Sequence, residues 1–272
     1  RTREAANDRA EGGQLEQAEA MLSGIAASAP EPTAALLSLE RVYRAIAART
    51  APPEAVVQGK LADVLRRLAS LTRDPARRTG LSVEAARTLS SGIGRDTEAA
   101  QILEQVVESE PAGSPAQRDA LTRLAEIAGA TGNPARQAAA LERLAEGAAG
   151  AERAGYLTAA GKVLVGMDVD RAITCWERAV TADPNATPAL DALIETYRSR
   201  EAWQPLLTTW NRVIQATRDP KVAAQGYFEK GVLLLERMRL PDKAEQHFQR
   251  SLSALPTFVP ALSRLSAIYR EQ

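Results

Sequence analysis

The sequence predicts an all-α protein made of antiparallel helix pairs arranged in a row. Three observations support this fold class. One residue frame recurs four times at a fixed internal spacing and closes each time with a proline, and a second frame follows three of these prolines. Alanine and other strong helix formers fill long stretches, and no run shows the alternation and β-branched content typical of a strand.

The first frame, called here the second-helix frame, is clearest where Ala172 is followed by Trp176, Ala179 and Pro184. A small residue, a large apolar residue four positions later and a third position three further on lie on one helical face. The proline then ends the helix. The other copies keep the same spacing: Ala18, Leu22, Ile25 and Pro30; Ala99, Leu103, Val106 and Pro111; Ala244, Phe248, Ser251 and Pro256.

The second frame, called here the first-helix frame, begins after these prolines and places leucine, leucine, tyrosine and arginine at fixed positions. Its three copies are Leu36, Leu39, Tyr43 and Arg44; Leu190, Leu193, Tyr197 and Arg198; Leu262, Leu265, Tyr269 and Arg270. After Pro111 the corresponding residues are Gln117, Ala120 and Leu124. Because these side chains differ in size from the frame, we expect that repeat to pack less tightly.

Breaks between the apolar stripes predict fifteen helices. A turn at Gly12-Gly13 separates the first two, and the last helix stands alone after seven pairs. The predicted helices cover roughly residues 2–11, 14–28, 33–49, 53–71, 75–91, 95–109, 115–130, 134–147, 151–165, 168–182, 186–199, 202–217, 220–237, 241–254 and 258–271.

The repeats alternate in kind, because the helix around Trp210 lacks the alanine and the closing proline found around Trp176, 34 residues earlier. The unit is therefore a doublet of helix pairs, with insertions near Pro52-Pro53 and Arg77-Arg78. Since stacked repeats add length without adding a second core, we expect one domain over residues 1–272. Its doublets are predicted at roughly 1–74, 75–148, 149–219 and 220–272.

Both frames resemble the tetratricopeptide repeat (TPR) family, whose second helix carries alanine, a bulky residue, a small residue and a closing proline at these intervals. The resemblance covers nearly the whole chain, and the Ala- and Arg-rich composition suggests a bacterial-type member. It implies a right-handed superhelical solenoid of about seven antiparallel helix pairs plus a C-terminal helix. It also implies a non-catalytic scaffold whose first helices line a concave groove that holds a partner protein or peptide.

Charge and composition argue against several other classes. Lys plus Arg and Asp plus Glu number 34 each, so the chain lacks the basic stripe of a nucleic-acid binder and we expect no nucleic-acid partner. No apolar run is long enough to span a membrane, and one cysteine excludes an internal disulfide framework. The chain opens on Arg1 without a signal pattern, which suggests a fragment or processed form. The compartment stays open, with the cytoplasm favoured over a periplasmic or envelope location.

Residues that carry chemistry are sparse. His247 and Cys175 are the only residues of their types and fall in different repeats, so they form neither a dyad nor a zinc site. Gly92-Ile93-Gly94 lacks the strand and the Gly-Lys-Ser/Thr sequence of a phosphate-binding loop and predicts a turn between helices. We therefore expect no catalytic residues, no metal and no cofactor.

Candidate partner-binding residues occupy positions that, by the resemblance, face the groove. These residues are Arg41, Arg44, Asp191, Glu195, Arg198 and Arg270. Arginine recurs at one position of three first helices, and a guanidinium group suits a partner's carboxylates. The alternative is that these arginines complement the helix dipole and pair with nearby carboxylates. The Lys and Asn set with which chaperone-binding relatives hold a C-terminal carboxylate is not recognisable.

Two features leave alternatives open. Tyr43, Tyr197 and Tyr269 are expected in the core, with stacking against bases or prolines as the alternative. The apolar stripe of the last helix either packs back as a cap or is covered by further chain or by a second subunit, which leaves self-association through this helix open. Two alternatives to a scaffold also stand: an accessory module of a larger polypeptide or envelope or secretion complex, and an RNA-processing scaffold of the half-repeat type.

Overall fold

The computed structural model describes residues 2–49, 54–90 and 94–271, and the side chains within these ranges except those of residues 2–13 and 271. The described ranges contain fourteen α-helices and no strand. In chain order they are α1 (Thr2–Ser28), α2 (Thr33–Ala47), α3 (Ala55–Leu71), α4 (Pro75–Ser90), α5 (Asp96–Ser109), α6 (Pro115–Ala130), α7 (Pro134–Glu146), α8 (Gly150–Leu164), α9 (Val169–Ala182), α10 (Thr187–Ser199), α11 (Trp203–Ala216), α12 (Pro220–Glu236), α13 (Pro241–Ala254) and α14 (Val259–Glu271).

Thirteen of these helices begin and end within a few residues of the predicted bounds. Local chemistry explains why, because prolines open several helices and polar side chains cap others. The Ser114 hydroxyl accepts a hydrogen bond from the Gln117 backbone N–H at the start of α6, and the Asp168 carboxylate accepts one from Arg171 at the start of α9.

The first helix corrects the sequence-based prediction. The turn predicted at Gly12-Gly13 is wrong, since the backbone of α1 stays helical from Thr2 to Ser28. Glycine within a helix costs about 1 kcal/mol relative to alanine and does not by itself end one. The predicted insertion at Pro52-Pro53 and most of the predicted turn at residues 92–94 lie outside the described residues.

The chain forms two compact units, Arg1–Ala140 and Leu141–Gln272, called here unit 1 and unit 2. In unit 1 each helix from α1 to α6 packs on the next in sequence, and in unit 2 the same holds from α8 to α14. This is the all-α arrangement of consecutive helices that the two frames predict. The prediction of one domain with four doublets stays a prediction.

First and second helices alternate along both units. We call α2, α4, α6, α8, α10, α12 and α14 the first helices, and α1, α3, α5, α7, α9, α11 and α13 the second helices. The small residue of the second-helix frame is fully buried at Ala99, Ala172 and Ala244, each 0% exposed. The stripe read from the sequence is therefore the packing face of α5, α9 and α13.

The bulky residue of the frame packs against a glycine that the frame does not contain. Trp176 of α9 lies against Gly161 of α8, and Phe248 of α13 lies against Gly231 of α12. Because these glycines have no Cβ, the aromatic rings reach the backbone of the preceding helix. Close approach between the two helices thus depends on a small residue on each of them.

The repeat after Pro111 packs as closely as the others, contrary to the expectation. Gln117 is 7% exposed and its polar atoms are satisfied: its side-chain N–H donates to the Val107 carbonyl at 3.1 Å, and its side-chain oxygen accepts from the Gly113 N–H at 2.8 Å. A hydrogen-bonded glutamine therefore fills the place that leucine takes elsewhere.

The last helix is covered on one edge only. Leu265 and Ile268 belong to a core cluster with Phe248 and are 7% and 9% exposed, as the capping alternative predicts. On the other edge, Leu262 is 47% exposed and Tyr269 is 52% exposed. None of the helices in the described ranges combines the length and apolar content that a membrane crossing needs.

Candidate functional site

A groove runs along the first helices of unit 2, and we call it the unit-2 groove. Its largest cavity, about 820 Å³, lies between α10, α11 and α12. Cavities of about 440 Å³ and 420 Å³ lie on the other side of α10, along α8. Asp191 lines the first and second of these cavities and Asn185 lines the first and third, so they adjoin one another.

The wall of the largest cavity is mostly apolar. Its apolar residues are Leu190, Ile194, Trp210, Val213, Ala216 and Val222. Val222 is 39% exposed. The indole N–H of Trp210 is buried and has no hydrogen-bond partner among the described residues. The cavity thus offers apolar surface to a side chain that enters it.

Charged residues of both signs border this wall. Asp191 comes from α10, Arg218 and Asp219 from the segment before α12, and Lys221 from the first turn of α12. Asp219 caps α12, since its carboxylate accepts the Lys221 backbone N–H at 2.9 Å. An apolar floor with a charged rim is the usual composition of a site that binds a peptide or a small apolar group.

Two of the six predicted partner-binding residues line the unit-2 groove. Asp191 and Glu195 are exposed on α10, and Glu195 shares the 440 Å³ cavity with Lys162 of α8. Their position on the open side of a first helix agrees with the register used to choose them.

The predicted arginines are exposed, and three of them have partners within the chain. Arg44 pairs with Glu40 at 2.9 Å and with Glu84 of the next first helix at 2.5 Å. Arg198 pairs likewise with Glu229 of the next first helix, at 3.2 Å. Arg44 and Arg198 therefore follow the alternative in which the arginines pair with nearby carboxylates of the same chain. Exposed ion pairs of this kind contribute little to stability.

The remaining two arginines differ from this pattern. Arg270 donates to the carbonyl and the hydroxyl of Ser266 within its own helix. Arg41 is exposed on α2. A partner-binding role for any of the four arginines stays a prediction.

Two of the three frame tyrosines are core residues. Tyr43 is 4% exposed and Tyr197 is 8% exposed, and each hydroxyl donates to a glutamate of the preceding second helix at 3.0 Å. Burial and the adjacent carboxylate raise the pKa of both hydroxyls to about 12. The core interpretation is confirmed for this pair. Tyr269 makes the same bond to Glu245 at 2.6 Å but remains exposed.

Cys175 and His247 have separate surroundings. Cys175 is fully buried on α9, where its thiol donates to the Glu142 carboxylate at 3.3 Å. Burial and this glutamate raise the pKa of the thiol to about 12, so it is protonated and a poor nucleophile at neutral pH. His247 lies on α13 and stacks on Tyr227 with a ring-centroid distance of 6.2 Å. In the described part of the chain no three metal-ligating side chains cluster.

We expect His247 to make unit 2 less stable in acid. Burial, reinforced by the charges of Lys230 and Arg250, lowers the pKa of His247 from 6.5 to about 4. Between these values the unfolded state binds the proton and the folded state does not, so the free energy of unfolding decreases as pH falls through this window. From pH 6.5 to pH 4 the wild type should lose about 2 kcal/mol more than His247→Gln.

Denaturant titrations of both proteins at several pH values, followed by tryptophan fluorescence, measure this difference. All three tryptophans lie in unit 2, so the signal reports on that unit. Carboxylates shared by the two proteins cancel in the comparison. Parallel curves for the two proteins would show that His247 titrates normally in the folded state.

Sequence reasoning missed the groove wall. The frames place Trp210 on a packing face and say nothing of Val222, which lies in the first turn of α12. One signal was available: after Trp210 the closing proline is replaced by Thr217-Arg218-Asp219-Pro220, so α11 ends differently from α9 and α13. That segment borders the largest cavity.

Comparisons with known proteins found no matching family model and no matching curated protein. Solved structures do match. The crystal structure of YrrB, described as a TPR protein with an unusual peptide-binding site, has a TM-score of 0.39 and 16% identity over 75% of this chain and 98% of that chain. The MamA protein has a TM-score of 0.40 and 17% identity over 65% and 91% of the two chains. The P58(IPK) TPR domain has a TM-score of 0.31 and 14% identity over 93% and 76%.

Similarity at this level carries no argument about partners or activity, so the assignment of fold rests on this chain. The second-helix frame recurs in α1, α5, α9 and α13, and its small residue is fully buried in three of them. Fourteen helices in the described ranges, of which α1 to α6 and α8 to α14 pack on their neighbours in sequence, fit a tetratricopeptide-type repeat protein.

Proposed function

We propose that this protein is a non-catalytic scaffold that binds a segment of a partner protein in the unit-2 groove. The observation that supports this proposal is the apolar cavity of about 820 Å³ between α10, α11 and α12, with charged residues at its rim. Open apolar surface of this kind on a folded protein is typical of an interaction site.

The groove sets requirements for its ligand. An apolar side chain of the partner would fill the space against Ile194, Val213 and Val222, and this contact would supply most of the affinity. Asp191 of α10 and Lys221 of α12 both line the cavity. A segment that carries one basic and one acidic residue around an apolar anchor would match both charges, which favours specificity more than affinity.

The six residues chosen from the sequence divide in this proposal. Asp191 and Glu195 contact the partner in the groove. Arg198 and Arg44 are paired with glutamates of the next first helix, Glu229 and Glu84. Arg41 and Arg270 line none of the three cavities. A place within a larger polypeptide or an envelope or secretion complex is compatible with the same groove.

A photo-crosslinking amino acid at position 222 tests the location of the site. We expect this protein to form a covalent adduct with a discrete partner in a lysate of the source organism. The matched control carries the crosslinker at position 56, because Val56 of α3 is 67% exposed but belongs to unit 1 and does not line the cavities of the groove. Equal labelling from both positions would contradict the proposal.

Val222→Glu tests the energetics once a partner segment is known. A carboxylate in an apolar cavity must lose its hydration without gaining a partner, so we expect binding to weaken at least about ten-fold, as for an interface hot spot. Val56→Glu should bind like the wild type. Binding by isothermal titration calorimetry and helicity by circular dichroism check both variants, and a Val222→Glu protein with unchanged affinity would refute the groove as the site.

A further inference from the structure

A polar cavity of about 530 Å³ lies in unit 1, between α3, α4 and α5. Its charged lining residues are Asp63, Arg66 and Arg67 of α3 and Arg78 of α4. Ser70, Ser82 and Gln105 also line it. This lining differs from the mostly apolar wall of the unit-2 groove and favours a ligand that carries negative charge.

Asp63 and Arg66 belong to a network of ion pairs that carries no net charge. Arg66 pairs with Asp63 at 3.9 Å and also with Glu98 of α5. Arg95 pairs with Asp63 at 3.3 Å and with Glu98 at 2.6 Å. Two arginines and two carboxylates balance each other here. The positive charge of the cavity therefore comes from its other two arginines.

Those two arginines, Arg67 and Arg78, have no carboxylate partner in the part of the chain that the structure describes. Nη2 of Arg67 donates to the Ala26 carbonyl at 3.2 Å, and Nε and Nη2 of Arg78 donate to the Thr72 carbonyl at 3.2 and 3.0 Å. A guanidinium group has five N–H donors, so both side chains keep free donors. Because the carbonyls also hold the two side chains in place, less conformational entropy is lost when a ligand binds.

Ser82 and Gln105 add neutral hydrogen-bonding groups to the cavity. The hydroxyl of Ser82 on α4 and the side-chain amide of Gln105 on α5 make no hydrogen bond to another described residue. With Arg67 on α3, free donors from three helices line one cavity. Donors on several sides suit a group that accepts through several oxygens, as phosphate does.

We propose that this cavity binds a phosphate monoester, with Arg67 and Arg78 as its charged contacts. A phosphate monoester is close to a dianion at neutral pH, so it matches the two positive charges that no carboxylate of the chain offsets. A guanidinium group can bind phosphate through two parallel hydrogen bonds. A nucleic acid would instead need an extended basic surface, whereas this chain has a formal net charge of zero.

A small molecule and a phosphorylated side chain of another protein both offer this chemical group, and the choice of probes distinguishes these two sources. The site lies in unit 1 and shares no residue with the unit-2 groove. It therefore stands or falls separately from the proposed scaffold function.

Isothermal titration calorimetry of the full chain at low salt tests the class of ligand. The probes are glycerol 3-phosphate, a short peptide with a central phosphoserine, the same peptide without phosphate, and a single-stranded RNA oligonucleotide without a terminal phosphate. We expect the first two probes to bind and the unphosphorylated peptide not to bind. Tighter binding of the phosphopeptide would identify a phosphoprotein as the source, and equal affinities would identify a small molecule.

Two results with these probes would overturn the proposal. One is no detectable binding of either phosphate monoester at up to about 10 mM. The other is RNA binding as tight as that of the monoesters, which would indicate a general attraction for polyanions and not a phosphate site.

Arginine substitutions locate the site. Arg67→Gln and Arg78→Gln should each weaken binding of the phosphate probes at least about ten-fold, because each removes a charge-assisted contact. Arg77→Gln is the matched control, since it removes the same charge one residue away from Arg78 but does not line the cavity. Equal weakening by Arg77→Gln and Arg78→Gln would mean that only overall charge matters and would contradict the proposal.

Gln105→Glu tests the same site without removing any contact to a backbone carbonyl. The new side chain has nearly the same shape, but its carboxylate would pair with the free arginines and repel the ligand, so binding should weaken at least about ten-fold. Gln101→Glu adds the same charge at an exposed position of α5 that does not line the cavity, and it should bind like the wild type. Circular dichroism checks that all variants fold, and unchanged affinity of Gln105→Glu would refute the site.

Discussion

Gly161→Ala should lower the free energy of unfolding of unit 2 by about 3 kcal/mol. A Cβ at this position of α8 would lie 2.6 Å from two ring atoms of Trp176, much closer than atoms can approach. The indole is rigid and 2% exposed, so it has no free space into which it can move. Either α8 and α9 separate or the ring leaves its rotamer, and both cost packing energy.

The same helix provides a control of opposite sign. Gly155 is exposed on α8, and a Cβ built there meets no atom within 4 Å. Because alanine restricts the unfolded chain more than glycine does, Gly155→Ala should stabilise unit 2 by about 0.5–1 kcal/mol. Denaturant unfolding followed by tryptophan fluorescence measures both effects on unit 2. Equal stability of the two variants would show that the helices adjust to an added methyl group.

A double variant isolates the contact itself. In Gly161→Ala/Trp176→Leu the smaller, flexible leucine leaves room for the new methyl group. Its loss of stability should therefore be smaller than the sum of the two single losses by about 1–2 kcal/mol, as expected for residues in direct contact. If the stability loss of the double variant instead equals the sum of the two single losses, the methyl group of Gly161→Ala destabilises the backbone of α8 and not the contact with the Trp176 ring.

The sequence was sufficient for most of the helix bounds, and the reason is local. Proline fixes φ and lacks a donor, so a proline just before or within the first turn of a helix marks its start wherever the fold places it. Pro188 and Pro220 act in this way in the first turns of α10 and α12. Glycine is a weaker signal, since it permits a turn without requiring one, and α1 passes through Gly12-Gly13 unbroken.

Contacts between helices were only half predictable. The spacing of Ala172 and Trp176 assigns both to one face of α9, but not which residue of α8 meets that face. Gly161 has no frame of its own in the sequence, so its role emerges only when the two helices are placed together. The groove is similar, because Val213 and Val222 belong to different helices and their common cavity depends on how α11 and α12 turn at residues 217–219.

Leu190→Ala and Leu262→Ala should differ in cost although the two leucines share one sequence frame. Leu190 is 3% exposed because α11 follows α10 and packs on it, so its truncation leaves a cavity and should cost about 3 kcal/mol. Leu262 is 47% exposed, and its truncation should cost less than about 1 kcal/mol.

Both leucines belong to unit 2, so one tryptophan-fluorescence titration per variant compares them directly. Protein concentration must be kept low, because self-association through α14, which the sequence leaves open, would add stability to the Leu262 site by mass action. If the two variants lose the same stability to within about 0.5 kcal/mol at low protein concentration, Leu262 is buried in solution to the same extent as Leu190. The position of a leucine in the first-helix frame would then be enough to determine its burial. If Leu262→Ala loses stability only at high protein concentration, Leu262 is covered by a second molecule, since packing within one molecule does not depend on concentration.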